Sequence, residues 1–263
     1  MNTATTDSVI RRQPFACSAL LIAAVGTIDV LLRILVDDVM SLRLSVITVG
    51  VISGGVLSAI GALAVTRLDL WRQLGFTGRP ARWRTLLWFL PFAIYGVLPL
   101  TQGLDATASK AAGAIAFGVL IAFWKLTALG MLLHAWLPRG ERSAAGLAAG
   151  FWAAMHVAGI LTGAKVAPTL VLCASSLFLA FAFVAVRLRT QLLWPLIPCY
   201  ALLLAAAAAV QEDEASNLAA TVTAMLPALV ISALLAVYGL IALPRGLRVV
   251  DQVARPVHAG ERS

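Results

Sequence analysis

Four residues whose side chains can donate, accept or transfer protons lie inside long apolar stretches: Lys125, His156, Tyr200 and Asp29. Lys125 has fourteen non-ionisable residues before it and eight after it. A charge at the centre of a membrane helix costs about 2.5–3.5 kcal/mol on insertion scales. A buried lysine that loses its proton can act as a base or nucleophile, with histidine and tyrosine as proton-transfer partners. These residues therefore indicate either a reactive site or a set of buried polar pairs.

The composition determines which elements must position these residues. The chain has 263 residues, of which 61% are hydrophobic and 12% charged, and its mean hydropathy is +0.93. A soluble domain is typically about a quarter charged. The sequence thus predicts an all-α, polytopic bundle of membrane helices. The net charge of +8 does not indicate nucleic-acid binding, because the basic residues lie between apolar runs.

About 20 apolar residues are needed for each crossing of the bilayer. On this basis we predict eight transmembrane helices, near 15–35, 44–66, 85–101, 111–138, 144–163, 168–187, 190–209 and 218–243. They form a single membrane domain over 15–243. A polar tail, 1–14, precedes this domain, and a basic tail, 244–263, follows it.

The distribution of lysine and arginine predicts the orientation. If all eight spans alternate and the N-terminus is cytoplasmic, fifteen of these residues lie inside and four outside. The four outside are Arg33, Arg43, Lys110 and Lys165. An excess of positive charge marks the cytoplasmic side. We therefore predict that both termini are cytoplasmic and that the protein resides in the plasma membrane.

Counting residues from the cytoplasmic end of each span gives each side chain an approximate depth. Lys125, His156, Tyr200 and Asp29 fall in one layer about 15–21 Å deep, at 1.5 Å per residue. Trp124 lies in the same layer. Trp152 lies slightly shallower and shares a helix face with His156 at i, i+4.

Purely structural roles are also consistent with these positions. His156 could form only a hydrogen bond between helices, and Lys125 could simply neutralise Asp29. Asp29 could instead pair with Arg33 at i, i+4. Tyr200 could be a packing residue whose hydroxyl is satisfied.

Familiar catalytic motifs are absent from the sequence, which contains no HExxH, GxSxG or P-loop. The three cysteines, Cys17, Cys173 and Cys199, form no CxxC pair, and the deep layer offers too few ligands for zinc. We predict no metal site and no cofactor. His134, one turn from the cytoplasmic end of its span, is predicted to lie at the membrane interface.

Small residues recur at every fourth position in two spans, which predicts close packing of helix backbones within the chain. In the second span these are Gly50, Gly54, Ser58 and Ala62. In the fifth span they are Gly146, Gly150, Ala154 and Ala158.

The order of segments over about 65–210 resembles the CPBP intramembrane proteases, also called CAAX-protease-like or Abi proteins. The loop LGFTGRPARWR, Leu74 to Arg84, is similar to a phrase before the family's third core helix. WKLTALG, Trp124 to Gly130, stands where members carry EExxxRG, and FWAAMH, Phe151 to His156, where they carry FxxxH. TQLLWPLIPCYALLL, Thr190 to Leu204, resembles the segment that leads into the family's last histidine motif.

The resemblance implies a core of eight helices and a site in which paired glutamates and two histidines activate water. In this chain only His156 matches those catalytic residues. The other motif positions read Trp124, Lys125, Leu129, Tyr200 and Leu204. An ammonium cannot replace a carboxylate as a general base unless burial strongly depresses its pKa.

Three functions follow, in order of preference. The first is a catalytically degenerate homologue that binds a membrane peptide, a partner helix or a lipophilic molecule. Its retained intramembrane cavity would be lined by Trp124, Trp152, His156, Tyr200 and Asp29. The second is an active membrane enzyme with altered chemistry, for which the catalytic candidates are His156, Lys125 and Tyr200. The third is a transporter. The predicted partners are the lipid bilayer and a membrane protein or lipophilic substrate, with no nucleic acid.

Overall fold

The computed structural model describes residues 13–34, 46–102, 107–157, 160, 164–210 and 218–243. For a few residues within these ranges, Asp29 and Arg33 among them, only the main chain is described. The described residues are helical throughout their long segments, and no strand occurs among them. This confirms the predicted all-α class.

Nine α-helices are present in the described part of the chain. They are α1 (Pro14–Ile34), α2 (Val46–Arg67), α3 (Trp71–Leu74), α4 (Leu90–Val97), α5 (Ala108–Trp136), α6 (Glu141–Ala154), α7 (Val166–Thr190), α8 (Leu196–Val210) and α9 (Leu218–Ala242). Four 3-10 segments lie next to these helices, at Trp83–Phe89, Leu98–Gln102, Leu137–Arg139 and Met155–Val157.

Five helical segments of the described residues are long and apolar enough to cross a membrane. They are Ile47–Arg67, Trp83–Thr101, Ala108–Arg139, Val166–Thr190 and Met225–Ala242. Two shorter apolar helices, Pro14–Ile28 and Leu196–Ala209, accompany them. These segments coincide with seven of the eight predicted spans. They indicate a membrane protein, since a helix satisfies its own backbone polar groups in lipid.

The longest helix, α5, packs against both α2 and α8, and glycines allow each close approach. A Cβ on Gly54 would lie 2.9 Å from Ile121 of α5, and one on Gly118 would lie 3.0 Å from Ala205 of α8. Ser58 donates a hydrogen bond of 2.8 Å to the carbonyl of Leu120. The predicted small-residue packing of the second span is therefore confirmed.

The second small-residue stripe behaves differently. A Cβ added at Gly146 or Gly150 of α6 would meet nothing within 4 Å in the described part of the chain, and Ala154 is exposed. The prediction that this stripe packs within the chain is wrong for these residues. The physical reason is that α6 turns its alanine face, including Ala145 and Ala149, to the neighbouring α7. Ala158 lies outside the described residues.

Two predicted spans differ from the observed helices. The predicted span 144–163 corresponds to α6, which ends at Ala154 and is followed by a 3-10 turn to Val157; of 158–163 only residue 160 is described, and it is helical. The predicted span 190–209 begins only at Leu196, because Gln191 adopts φ +60° and ends α7. A helix of fifteen residues is about 22 Å long, which is shorter than a full crossing.

The segment between α7 and α8 docks on the loop that follows α3. Gly75 adopts φ +89°, and its carbonyl accepts a hydrogen bond of 2.9 Å from the amide of Leu193. The indole of Trp194 donates to the carbonyl of Gly78 at 3.2 Å. A side chain at Gly75 would lie 2.8 Å from the carbonyl oxygen of Gln191. Only glycine combines this backbone conformation with so close a contact.

Candidate functional site

The Lys125 and His156 side chains meet in the structure. Lys125 Nζ of α5 lies 3.2 Å from His156 Nε2, which the 3-10 turn after α6 presents. An ammonium has donors and no acceptor, so the imidazole nitrogen accepts this hydrogen bond. Both side chains keep part of their surface exposed. The prediction that these two residues share a depth is therefore confirmed.

Ser176 of α7 is a third member of this cluster. Its Oγ lies 3.4 Å from the same nitrogen of His156, and the residue is buried. Ser176 was not among the residues predicted for the layer, although its position along the helix indicates the same depth. It lies eleven residues before Arg187, the predicted cytoplasmic end of its span. Eleven residues correspond to about 16–17 Å, which is the depth of the layer.

Trp124 lies beside the cluster but belongs to a separate apolar contact group. Lys125 Nζ is 6.0 Å from the centroid of the Trp124 ring. The ring is buried and packs with Leu57, Ile121 and Ala128. Among the described residues its Nε1 has no hydrogen-bond partner.

Trp152 and Tyr200 belong to the packed core, in a contact group separate from that of Trp124. Their ring centroids are 6.1 Å apart, and Phe183 lies 5.4 Å from Tyr200 and 6.4 Å from Trp152. The hydrogen bonds found for His156 involve Lys125 and Ser176, not Tyr200. The prediction that Tyr200 is a packing residue is thus favoured over its assignment as a proton-transfer partner. Aromatic rings at this spacing gain from edge and face contacts as well as from burial.

The side chain of Asp29 lies outside the described residues, so its predicted contacts with Lys125 or Arg33 are not tested. Its main chain is part of α1, and the preceding residue, Ile28, packs against the contact group of Trp124. The backbone of α1 therefore passes the predicted layer where the sequence places Asp29.

His134 is buried within the bundle, and its predicted place at the membrane interface stays a prediction. It is 5% exposed and lines a cavity of about 60 Å³ together with Cys17, Ser18 and Met131. Burial results from the packing of α1 along the C-terminal end of α5, where the indole of Trp136 donates to Ser18 at 2.9 Å. This helix contact covers a residue that a lone α5 would expose.

A second cation, Arg187, is buried at the predicted cytoplasmic end of the bundle. Its guanidinium donates to the carbonyl of Gln73 and, at 3.1 Å, to Oε1 of Gln191. Burial at the start of α6 raises the pKa of the Glu141 carboxyl, and the nearby Arg187 partly offsets that rise. Arg187 thus links α7, the end of α3 and the start of α6.

Within the described part of the chain, no group of three or more His, Cys, Asp and Glu residues could hold a metal ion. The three cysteines are free. Comparison of the chain with protein-family models, with curated proteins and with solved structures found no match. The chemistry of the site must therefore be argued from Lys125, His156, Ser176 and their surroundings.

Proposed function

We propose that this membrane protein binds a lipophilic guest beside Lys125 and His156 and does not cleave peptide bonds. The guest would be a membrane peptide, a partner helix or a lipid-like molecule. The observation that carries the proposal is the 3.2 Å hydrogen bond between Lys125 Nζ and His156 Nε2. An imidazole nitrogen that already accepts a hydrogen bond from an ammonium is poorly placed to take a proton from water.

The proposal includes descent from a CPBP-like intramembrane protease with loss of its catalytic groups. The phrases LGFTGRPARWR and LWPLI support this origin, because both occur in the family's order along the chain. The residue types at the motif positions support the loss of catalysis, since Lys125 stands in place of a glutamate and Tyr200 in place of a histidine.

The proposed arrangement in the membrane has eight crossings with both termini in the cytoplasm. The distribution of lysine and arginine supports it, because fifteen of these residues fall on the cytoplasmic side only if all eight segments cross. The plasma membrane is the proposed location.

The absence of proteolysis is tested by comparing protein termini across the membrane proteome of the native host. Strains carry the wild-type chain, a deletion, or His156→Ala. We expect identical termini in all three strains. Termini that occur only with the wild-type chain would show that the protein cleaves its neighbours, and the binding proposal would then fail.

The presence of a guest is tested by photo-crosslinking in native membranes. A benzophenone amino acid replaces Met155, which packs against the contact groups of both Trp124 and Trp152. The control replaces Leu63, a 57% exposed residue of α2. We expect a discrete adduct at position 155 and only heterogeneous lipid adducts at position 63. The same heterogeneous adducts at both positions would count against a bound guest.

A second candidate function is a membrane hydrolase, and one observation favours it. Ser176 Oγ lies 3.4 Å from the nitrogen of His156 that a base would use, so a serine–histidine pair is present. The ammonium of Lys125 competes for that nitrogen, which is why binding ranks first. A fluorophosphonate tests this function, because attack by Ser176 Oγ on phosphorus would expel fluoride and label the chain. Labelling of wild type but not of Ser176→Ala would favour the enzyme.

A further inference from the structure

We infer that an anionic phospholipid of the bilayer binds where α7 and α9 meet the Trp83–Phe89 segment. Its phosphate contacts Arg189, and its glycerol backbone and upper acyl chains cover the rings of Trp88 and Tyr238. These three residues are called the Trp88 patch. The patch shares no residue with the cluster of Lys125, His156 and Ser176, so the inference is independent of the proposed function.

Three elements converge on Trp88. Tyr238 of α9 donates a hydrogen bond of 3.1 Å to the main-chain carbonyl of Trp88, and the centroids of the two rings are 5.7 Å apart. Arg189 stands in the last turn of α7, and its Cζ lies 5.3 Å from the centroid of the Trp88 ring. A cation within about 6 Å of a tryptophan ring is attracted to the ring face. These distances place one guanidinium beside two aromatic rings.

Arg189 retains its hydrogen-bond donors for a ligand. It is exposed, and its contact in the described part of the chain is with the Trp88 ring, without a hydrogen bond or an ion pair. Arg187, two residues earlier, differs because its guanidinium donates to Gln73 and Gln191. A guanidinium has five N–H donors in a planar fork, which matches the oxygens of a phosphate. Arg189 is therefore suited to hold a phosphate group.

The surface around the patch faces lipid. Its three elements belong to segments that are long and apolar enough to cross a membrane, Trp83–Thr101, Val166–Thr190 and Met225–Ala242. Both rings are only partly buried. Apolar residues that stand before and after each ring in the chain are between 51% and 64% exposed: Leu87, Leu90, Val237 and Ile241. In a bilayer acyl chains cover such residues, so the occupant is a lipid and not an acidic protein segment.

The position of Arg189 favours a lipid with net negative charge. Arg189 lies one residue before the end of α7, where the apolar helix ends and lipid headgroups begin. Basic sites between membrane helices at the cytoplasmic side bind anionic headgroups, and tryptophan and tyrosine rings favour this level of the membrane. A zwitterionic lipid also carries a phosphate, but its own cation competes with Arg189 for that group. An anionic phospholipid has no such competitor.

The inference is tested with the full chain in phosphatidylcholine nanodiscs. Phosphatidylglycerol or phosphatidylcholine, each brominated near the top of the same acyl chain, is added at equal mole fraction, because bromine quenches tryptophan fluorescence at short range. We expect brominated phosphatidylglycerol to quench more strongly. Trp88→Phe should remove this excess, which identifies the reporting residue among the seven tryptophans.

Arginine variants test the contact with the headgroup. Arg189→Gln should weaken the preference for phosphatidylglycerol about fivefold, because one arginine near an anionic headgroup contributes about that factor. Arg189→Lys, which keeps the charge without the planar fork, should give an intermediate preference. Arg67→Gln removes an exposed arginine at the end of α2 and should leave the preference unchanged. Unlabelled phosphatidylglycerol should abolish the excess quenching, whereas inorganic phosphate should not.

Three results would overturn the inference. Equal quenching by the two brominated lipids would mean that the patch is ordinary lipid-facing surface. An excess that survives Arg189→Gln but disappears in Arg67→Gln would place the anionic headgroup elsewhere. If neither lipid quenches Trp88, another protein surface covers the patch. Each of these results leaves the proposed guest beside Lys125 and His156 unaffected, because that guest is tested by crosslinking from position 155.

Discussion

At the scale of single residues, one nitrogen atom determines what this site can do. His156 Nε2 lies within 3.2 Å of the Lys125 ammonium and 3.4 Å of the Ser176 hydroxyl. In an active intramembrane hydrolase a histidine of this kind would be available to take a proton. Here the nitrogen accepts a hydrogen bond from the Lys125 ammonium, and this contact orders the two side chains instead.

The protonation of His156 can be measured directly. Because Nε2 accepts from Lys125, the single proton of the neutral ring must sit on Nδ1. We expect the nitrogen-15 NMR spectrum of histidine-labelled protein to show this tautomer for one of the three histidines. His156→Gln assigns the signal by removing it, and His258→Gln serves as the control. A signal from the opposite tautomer would mean that the imidazole donates to Lys125.

Arg187 is a cation with a structural role. The residue is 5% exposed, and its guanidinium donates to the backbone carbonyl of Gln73. The fork of the guanidinium also reaches Gln191. A planar fork can serve two acceptors on different elements at once, which an ammonium cannot do with the same geometry.

Removal of this guanidinium is expected to destabilise the bundle. Arg187→Ala should cost about 1.5–3 kcal/mol, because it removes the hydrogen bonds that the charged guanidinium makes to the Gln73 carbonyl and to Oε1 of Gln191. Arg187→Lys should recover only part of the loss. The apparent Tm in detergent measures both effects. Arg142→Ala, at an exposed position of α6, should change stability by about 0.5 kcal/mol or less.

At the scale of elements, the packing of α5 depends on the absence of side chains at its contacts with α2 and α8. Gly118 lies against the backbone of α8 near Ala201 and Ala205. Without a hydrophobic driving force between helices in lipid, such close van der Waals contact is a main source of association. The glycines of α6 carry no such contact within the described residues, so similar spacing has different consequences in the two helices.

This difference predicts opposite effects of one substitution. Gly118→Ala would place Cβ 3.0 Å from the Ala205 side chain and closer still to the Ala201 carbonyl. Overpacking of this kind costs about 1–3 kcal/mol, and the apparent Tm should fall. Gly146→Ala meets no neighbour and should raise stability by up to about 1 kcal/mol, as helix propensity favours alanine. A fall in Tm for Gly146→Ala would indicate that this face of α6 is covered in the membrane.

At the scale of the whole molecule, length and apolarity identify five helices that can cross the bilayer, and charge distribution predicts eight crossings. The three remaining segments correspond to α1, α6 and α8. Of these, α6 and α8 have fourteen and fifteen residues. A helix of that length spans about 21–22 Å, so these two need neighbouring turns or a locally thinner bilayer to cross.

Labelling of single cysteines tests the number of crossings. Arg82→Cys and Lys165→Cys are made in a background that lacks Cys17, Cys173 and Cys199. If all eight segments cross, a membrane-impermeant maleimide should label position 165 in intact cells and position 82 only after permeabilisation. Because both positions are exposed in the structure, equal labelling of the two in intact cells would contradict the alternating arrangement.

The sequence by itself determined the class of the protein and the common level of Lys125 and His156 along their helices. Apolar runs of roughly the bilayer thickness can fold only as helices in lipid, and position along a helix converts directly into depth. These two relations are local, and they place Lys125 and His156 at one level without specifying that their side chains meet. Counting residues back from Arg187 also places Ser176 at this level, so the same method predicts a residue that was not among the first candidates.

Only the tertiary structure decided which face of each helix meets a neighbour. Depth does not specify rotation about the helix axis, so residues of one layer separate into the hydrogen-bonded cluster of Lys125, the contact group of Trp124 and the aromatic core around Tyr200. Rotation also buries His134 against α1 and leaves Gly146 open. It is fixed by the summed contacts of several helices, which are distant in sequence and carry no signal at any single position.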